Sequence, residues 1–148
     1  MPKFQSRKLV RHTPDEMFRL VADVERYPEF VPLCDRLQVR GRKVQDDGRE
    51  ILIANMTVAY KLVRETFTSK VTLDPAQKLI VAEYLDGPFE HLENRWTFLE
   101  TEGGCHVDFY IDYEFRSKAL GILMGAMFDK AFRKFSDAFE QRAGLVYG

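Results

Sequence analysis

Residues 104–128, GCHVDFYIDYEFRSKALGILMGAMF, decide the fold, because the hydrophobic period changes inside them. Up to Phe115, the residues Cys105, Val107, Phe109, Ile111, Tyr113 and Phe115 alternate with His106, Asp108, Tyr110, Asp112 and Glu114. That is a strand with its first set facing inward. From about Ser117 the pattern predicts a long helix reaching about Ala143, with Gly144 as its C-terminal cap. The opening of that helix, Ala119 to Phe128, contains no charge and is apolar all round. A surface helix needs one apolar stripe, so this opening asks for a second hydrophobic neighbour besides a sheet: a ligand, a lipid or a partner.

Upstream, period two continues, with strands expected near residues 36–45, 49–60, 61–73, 78–85, 91–100 and 104–115. The breaks between them, Asp46-Asp47-Gly48, Asp74-Pro75, Asp86-Gly87-Pro88 and Gly103-Gly104, are turn chemistry for consecutive hairpins. Before this meander, Lys3 to Arg11 reads as a strand. Thr13-Pro14-Asp15-Glu16 reads as a helix start, with Thr13 as N-cap and Glu16 completing a capping box. Met17, Phe18, Leu20, Val21 and Val24 follow at helical spacing, and Pro28 predicts a stop just after Arg26-Tyr27. A further short helical turn is expected around Glu29 to Leu33.

The order strand, helix, six strands, long helix is an α+β arrangement, a curved antiparallel sheet of about seven strands gripping one long helix. Residues 1–148 are expected to form a single domain. A curved sheet leaves space beside a helix only about 10 Å wide, so a hydrophobic cavity is expected between them. Alternation assigns its lining. Met56, Val58, Tyr60, Val63, Glu65 and Phe67 come from the third and fourth strands, and Tyr84 and Phe89 flank the Gly87-Pro88 turn. Asn94, Trp96, Phe98, Phe109, Ile111 and Tyr113 come from the last two strands. Leu123, Met124, Met127, Phe128 and Ala131 come from the helix, with Phe135 beyond them.

Three polar residues interrupt these apolar faces. Glu65 is a ligand contact, a carboxylate paired with Arg64 or Arg95, or a side chain reaching the cavity mouth, since an unpaired inward charge is expensive. Asn94 and Ser69 are expected to find backbone partners. Gly121 and Gly125 inside the helix cost about 1 kcal/mol each against alanine. They mark either a gate at residues 119–128, acting with Gly87-Pro88-Phe89 against a membrane, or a close helix crossing.

Composition bounds the function. With 45% hydrophobic and 30% charged residues and a formal charge of -1, this is an ordinary globular chain without a surface suited to coating DNA. Cys34 and Cys105 form no CxxC pair and read as free thiols in a reducing compartment. The N-terminal MPKFQSRKLV lacks the apolar core of a signal peptide, and no run reaches the roughly 18 apolar residues of a membrane span. The expected location is the cytoplasm, peripheral to the inner membrane. No metal-ligand cluster is apparent, and no cofactor is expected to be required.

The segments MTVAYKLVRETFTSKV (56–71), YLDGPFEHLENRWTF (84–98) and VERYPEFVPLC (24–34) together resemble the coenzyme Q-binding START-like family. That family also includes the bacterial ribosome association toxins. The resemblance spans essentially the whole chain and rests on Arg64-Glu65-x-Phe67, Gly87-Pro88-Phe89 and Leu92-x-x-x-Trp96-x-Phe98. It implies a START/Bet v 1-like helix-grip whose tunnel holds ubiquinone or a related hydrophobic lipid, in a carrier or chaperone for respiratory electron transport. Where the family commonly has glycine before an aromatic in the third strand, this chain has Ala59-Tyr60, which narrows the space or adds one hydrogen bond.

Two other classes follow from the same resemblance. A polyketide cyclase or aromatase needs an acid and a base in the cavity. His12, His91 and His106 are scattered, with His106 outward and His91 either at the mouth or in a solvated loop, so no catalytic residue is assigned. A ribosome association protein needs cations for phosphates on the large subunit. Arg36, Arg40, Arg42 and Lys43, with Lys130, Arg133 and Lys134, are the local supply, or else a solvated face paired with acids.

Overall fold

The computed structural model describes residues 3–148. Strand β1 (Lys3–Val10) is followed by helix α1 (Pro14–Ala22) and a 3-10 helix (Val24–Glu29). Then come β2 (Cys34–Val44), β3 (Glu50–Tyr60), β4 (Val63–Asp74), β5 (Leu79–Asp86), β6 (Phe89–Thr101), β7 (Gly104–Phe115) and helix α2 (Lys118–Tyr147). The sheet order is β1-β7-β6-β5-β4-β3-β2, antiparallel throughout. Hairpins chain β2 to β7 into a meander, and β1 returns to pair with β7. This is the expected helix-grip of seven strands and one long helix.

Local chemistry explains the elements. The capping box forms in full: the Glu16 N–H donates to Thr13 Oγ1 at 3.1 Å, and the Thr13 N–H donates to Glu16 Oε1 at 3.0 Å. Helix α1 stops earlier than Pro28 alone predicts. Asp23 leaves helical geometry with ψ at 67°, and the chain tightens into a 3-10 helix with Pro28 inside it. Of the expected extra turn at Glu29 to Leu33, Glu29 closes the 3-10 helix and residues 30–33 are bend and turn. Helix α2 runs past Ala143, and Gly144 is not its cap; the carbonyl of Gly144 accepts the final N–H, from Gly148.

The β7 alternation holds: Cys105, Val107, Phe109, Ile111 and Tyr113 are buried. Along α2 the buried stripe is Met124, Phe128, Ala131, Phe132, Ser136, Phe139 and Ala143, which lays the helix over β1 and β7. That placement leaves the concave face of β2 to β5 beside the helix rather than beneath it. The 3-10 helix packs on β2 and forms the opposite flank.

Candidate ligand cavity

Between these flanks lies a cavity of about 110 Å³. Its walls come from every strand from β2 to β7, from α2 and from the 3-10 helix with the loop to Leu33. Of the expected lining, Met56, Val58, Phe67, Asn94, Trp96, Phe109, Ile111, Phe128 and Ala131 border it, and so does Phe135. The size is that of a single small ring, since an engineered apolar cavity of about 150 Å³ takes benzene. At somewhat less than that volume, the space admits a substituted ring only if the wall gives, and a long tail has to leave through the wall.

The remaining expected residues take other places. Phe89, wholly buried, is an aromatic hub rather than lining: its ring lies 5.3 Å from Phe67, 5.6 Å from Tyr84, 6.2 Å from Tyr113 and 6.0 Å from Phe128. The Tyr84 hydroxyl accepts the Phe89 N–H at 3.1 Å, so that phenol is committed to the turn. The turn itself requires glycine. Gly87 has φ +143°, and a Cβ there would stand 2.6 Å from Phe67 Cβ and 2.9 Å from Phe67 Cα. Phe98 stacks behind Trp96 at 6.2 Å and meets Phe18, which places it in the core. Tyr60, Val63 and Glu65 lie at the tip of the β3–β4 hairpin, beyond the cavity.

Helix α2 corrects the assignment further. Met124 is buried in the core and Met127 half-buried, and neither borders the cavity. Leu123 is 62% exposed and Ile122 82% exposed, so Leu123 points to solvent and not inward. The cause is rotation: the buried stripe through Met124 and Phe128 turns position 123 away from the sheet. The close-crossing reading of the helix glycines is also removed, since a Cβ on Gly125 would meet nothing within 4 Å and one on Gly121 only Phe115 at 3.9 Å.

The polar residues separate cleanly. Asn94 is committed at both ends: Nδ2 donates to the Tyr110 carbonyl at 2.9 Å, and Oδ1 accepts from Trp96 Nε1 at 3.1 Å. Glu65 is half-buried and enters no ion pair among the described residues, while Arg64 pairs with Asp35 and Arg95 with Glu93. The paired reading of Glu65 therefore falls. Tyr27, missed at the cavity by periodicity, donates its hydroxyl to the Val21 carbonyl at 2.5 Å, and burial pushes its pKa well up. Beside it, Leu33 borders the cavity at φ +66°, a backbone region that costs a bulky residue of order 1 kcal/mol. Its carbonyl accepts the Ala59 N–H at 3.0 Å, which holds it there.

No Asp, Glu, His, Lys or Arg borders the cavity among the described residues. His91 lies on the outer face, 3.2 Å from Asp112 and 3.9 Å from Glu114, and His12 stands beside Glu16. Burial, with the charge of Asp35, pushes the Cys34 thiol up to about 12, and burial pushes that of Cys105 to about 11. Neither sulfur is a ready nucleophile. No group of three or more His, Cys, Asp or Glu able to hold a metal occurs among the described residues, and no helix is long and apolar enough to cross a membrane.

Part of the lining missing from the expected set, Tyr27, Pro32 and Leu33, comes from a segment with neither helical nor strand period. Only the resemblance of that segment, VERYPEFVPLC (24–34), to the START-like family marked it. Comparison with known proteins extends that likeness. The ribosome association toxin RatA of Vibrio cholerae is 33% identical over 141 residues, covering 95% of this chain and 94% of the toxin. The mitochondrial coenzyme Q-binding protein COQ10 homolog B of Xenopus laevis is 30% identical over 151 residues, covering 99% of this chain and 59% of that protein. The solution structure of the 18 kDa protein CC1736 from Caulobacter crescentus superposes with a TM-score of 0.82 at 32% identity, covering 100% of this chain and 99% of that one. The model of the family described as polyketide cyclase / dehydrase and lipid transport matches residues 10–140, and with that span and these relatives the chain belongs to that START-like family.

Proposed function

We propose that this protein holds ubiquinone or a related hydrophobic lipid by its ring end in the cavity and carries it in support of respiratory electron transport. The observation that carries this reading is the cavity wall itself. Apart from Tyr27, Ser69 and Asn94 it is built of aliphatic and aromatic side chains with the Trp96 indole, and it offers no titratable acid–base pair. Such a wall suits binding of an apolar ring, whereas a cyclase or aromatase needs proton donors and acceptors at the reacting atoms. No cofactor is required for this role. The coenzyme Q-binding relative supports the choice of ligand.

The exposed Ile122 and Leu123 at the start of α2 are the surface we assign to transient contact with a membrane, peripheral to the inner membrane on its cytoplasmic side. Extraction of protein purified from its own host, followed by mass spectrometry, tests the reading. A co-purifying quinone is expected. Absence of any lipid, together with no quenching of Trp96 by ubiquinone-1, overturns it.

A second reading is favoured by a specific finding, the likeness to a ribosome association toxin over nearly the full length of both chains. Its supporting surface is edge strand β2, where Arg36, Arg40 and Lys43 are exposed and enter no ion pair among the described residues. Basic residues also protect an edge strand from pairing with another chain, so this charge has a use without RNA.

A further inference from the structure

The polar groups around the cavity can be accounted for one at a time. Tyr27 gives its hydroxyl to Val21, Trp96 gives its single N–H to Asn94, and Asn94 is bonded at both ends. Ser69 remains. It is 6% exposed, borders the cavity from the middle of β4, and its hydroxyl enters none of the side-chain hydrogen bonds among the described residues. No side-chain nitrogen or oxygen that is sealed off lacks a partner, so the Ser69 oxygen faces the cavity space. The strand beside it is irregular. The β4–β5 register shifts between Thr68 and Ser69, leaving Leu85 without a partner opposite, and bulges of this kind re-aim side chains next to binding sites.

Alanine would fill the same position without a hydroxyl to desolvate, so this group gains nothing for the empty chain. A hydroxyl both donates and accepts. It serves a ring carbonyl as donor and a ring hydroxyl as acceptor, among Phe67, Val71 and Ala82, which supply only apolar contact.

We propose that Ser69 is the specificity-determining residue of the cavity, selecting a ring that carries an oxygen, of the quinone or quinol class, over a hydrocarbon ring of the same shape. This rests on the cavity-binding reading above and adds the group that recognises the ring.

The probes are duroquinone and durene, which carry the same four methyl groups with and without the two carbonyls. Equilibrium dialysis of the full chain is expected to show Ser69→Ala weakening duroquinone about fivefold, the worth of one neutral hydrogen bond, with durene unchanged. The infrared band of one duroquinone carbonyl, shifted in the parent protein, is expected to return to its free position in Ser69→Ala. Ser69→Cys, equal in shape and a weaker donor, is expected to fall between and serves if the alanine variant folds poorly. Equal loss of both probes, no loss of either, or an unshifted carbonyl in the parent overturns the role of Ser69 and leaves the cavity reading standing. Failure of the parent protein to bind either probe overturns both.

Discussion

Arg142, in the last turns of α2, donates to Glu29 at the end of the 3-10 helix at 2.5 Å, with its guanidinium 5.0 Å above the Phe30 ring. The pair ties the helix to the segment whose Tyr27, Pro32 and Leu33 wall the cavity. Hydrogen bonds from Arg142 and then from Arg26 hold the Glu29 carboxyl below its usual range. A carboxylate depressed in the folded state contributes stability above its unfolded pKa, about 4.3, and loses it as pH falls through the folded value. Glu29→Gln is therefore expected to speed amide exchange over residues 24–33 at neutral pH. Parent and variant should converge in acid. A difference that persists undiminished well below about pH 4 would show that the carboxylate is not the tie.

The helix glycines have room to spare. Since a Cβ on Gly121 or Gly125 meets no close neighbour, Gly121→Ala and Gly125→Ala are each expected to stabilise the chain by about 1 kcal/mol. If the opening of α2 works as a gate, the double variant also releases bound ubiquinone-1 more slowly, measured by stopped-flow Trp96 fluorescence. Higher stability with unchanged release would remove residues 119–128 from the exchange path.

Gly87 is the opposite case. Its Cβ would stand 2.6 Å and 2.9 Å from the Cβ and Cα of Phe67, which belong to a hydrogen-bonded strand and cannot swing aside, and its φ of +143° is hostile to a side chain. Gly87→Ala is expected to cost about 2 to 4 kcal/mol. At roughly 2 to 4 °C per kcal/mol, the melting temperature should fall by several degrees. A shift under one degree would mean that the turn relaxes freely.

These contrasts mark what was legible in the sequence. The faces of β6 and β7 could be read because a period of two leaves no choice: Trp96, Phe109 and Ile111 go inward together. Leu123 could not be placed, because an opening that is apolar all round carries no stripe from which to read rotation. The Asn94–Trp96 bond and the uncommitted Ser69 hydroxyl were equally hidden. Alternation says that a polar residue faces inward, but whether it finds a partner depends on rotamers and on the β4–β5 register shift. The hub at Phe89 shows the same limit, since its five aromatic contacts come from four other elements.

The carrier and ribosome readings make opposite demands on two sets of residues. Ala131 is buried against the cavity, so Ala131→Leu fills the space with few added atoms and is expected to abolish retention of quinone and any respiratory complementation. Arg36, Arg40 and Lys43 are the set to reverse, because Arg42 is already held by Glu25 and Glu50. Under the carrier reading, changing those three residues to Glu does little. Under the ribosome reading the order inverts. The charge-reversed variant then loses co-sedimentation with the large subunit, and its salt dependence flattens by about one unit of log–log slope for each lost phosphate contact. The expected result is the first pattern, since the apolar wall has no use in holding RNA whereas the basic edge has one without it. Salt-sensitive co-sedimentation that depends on these cations and survives Ala131→Leu, in protein that retains no lipid, would reverse the ranking.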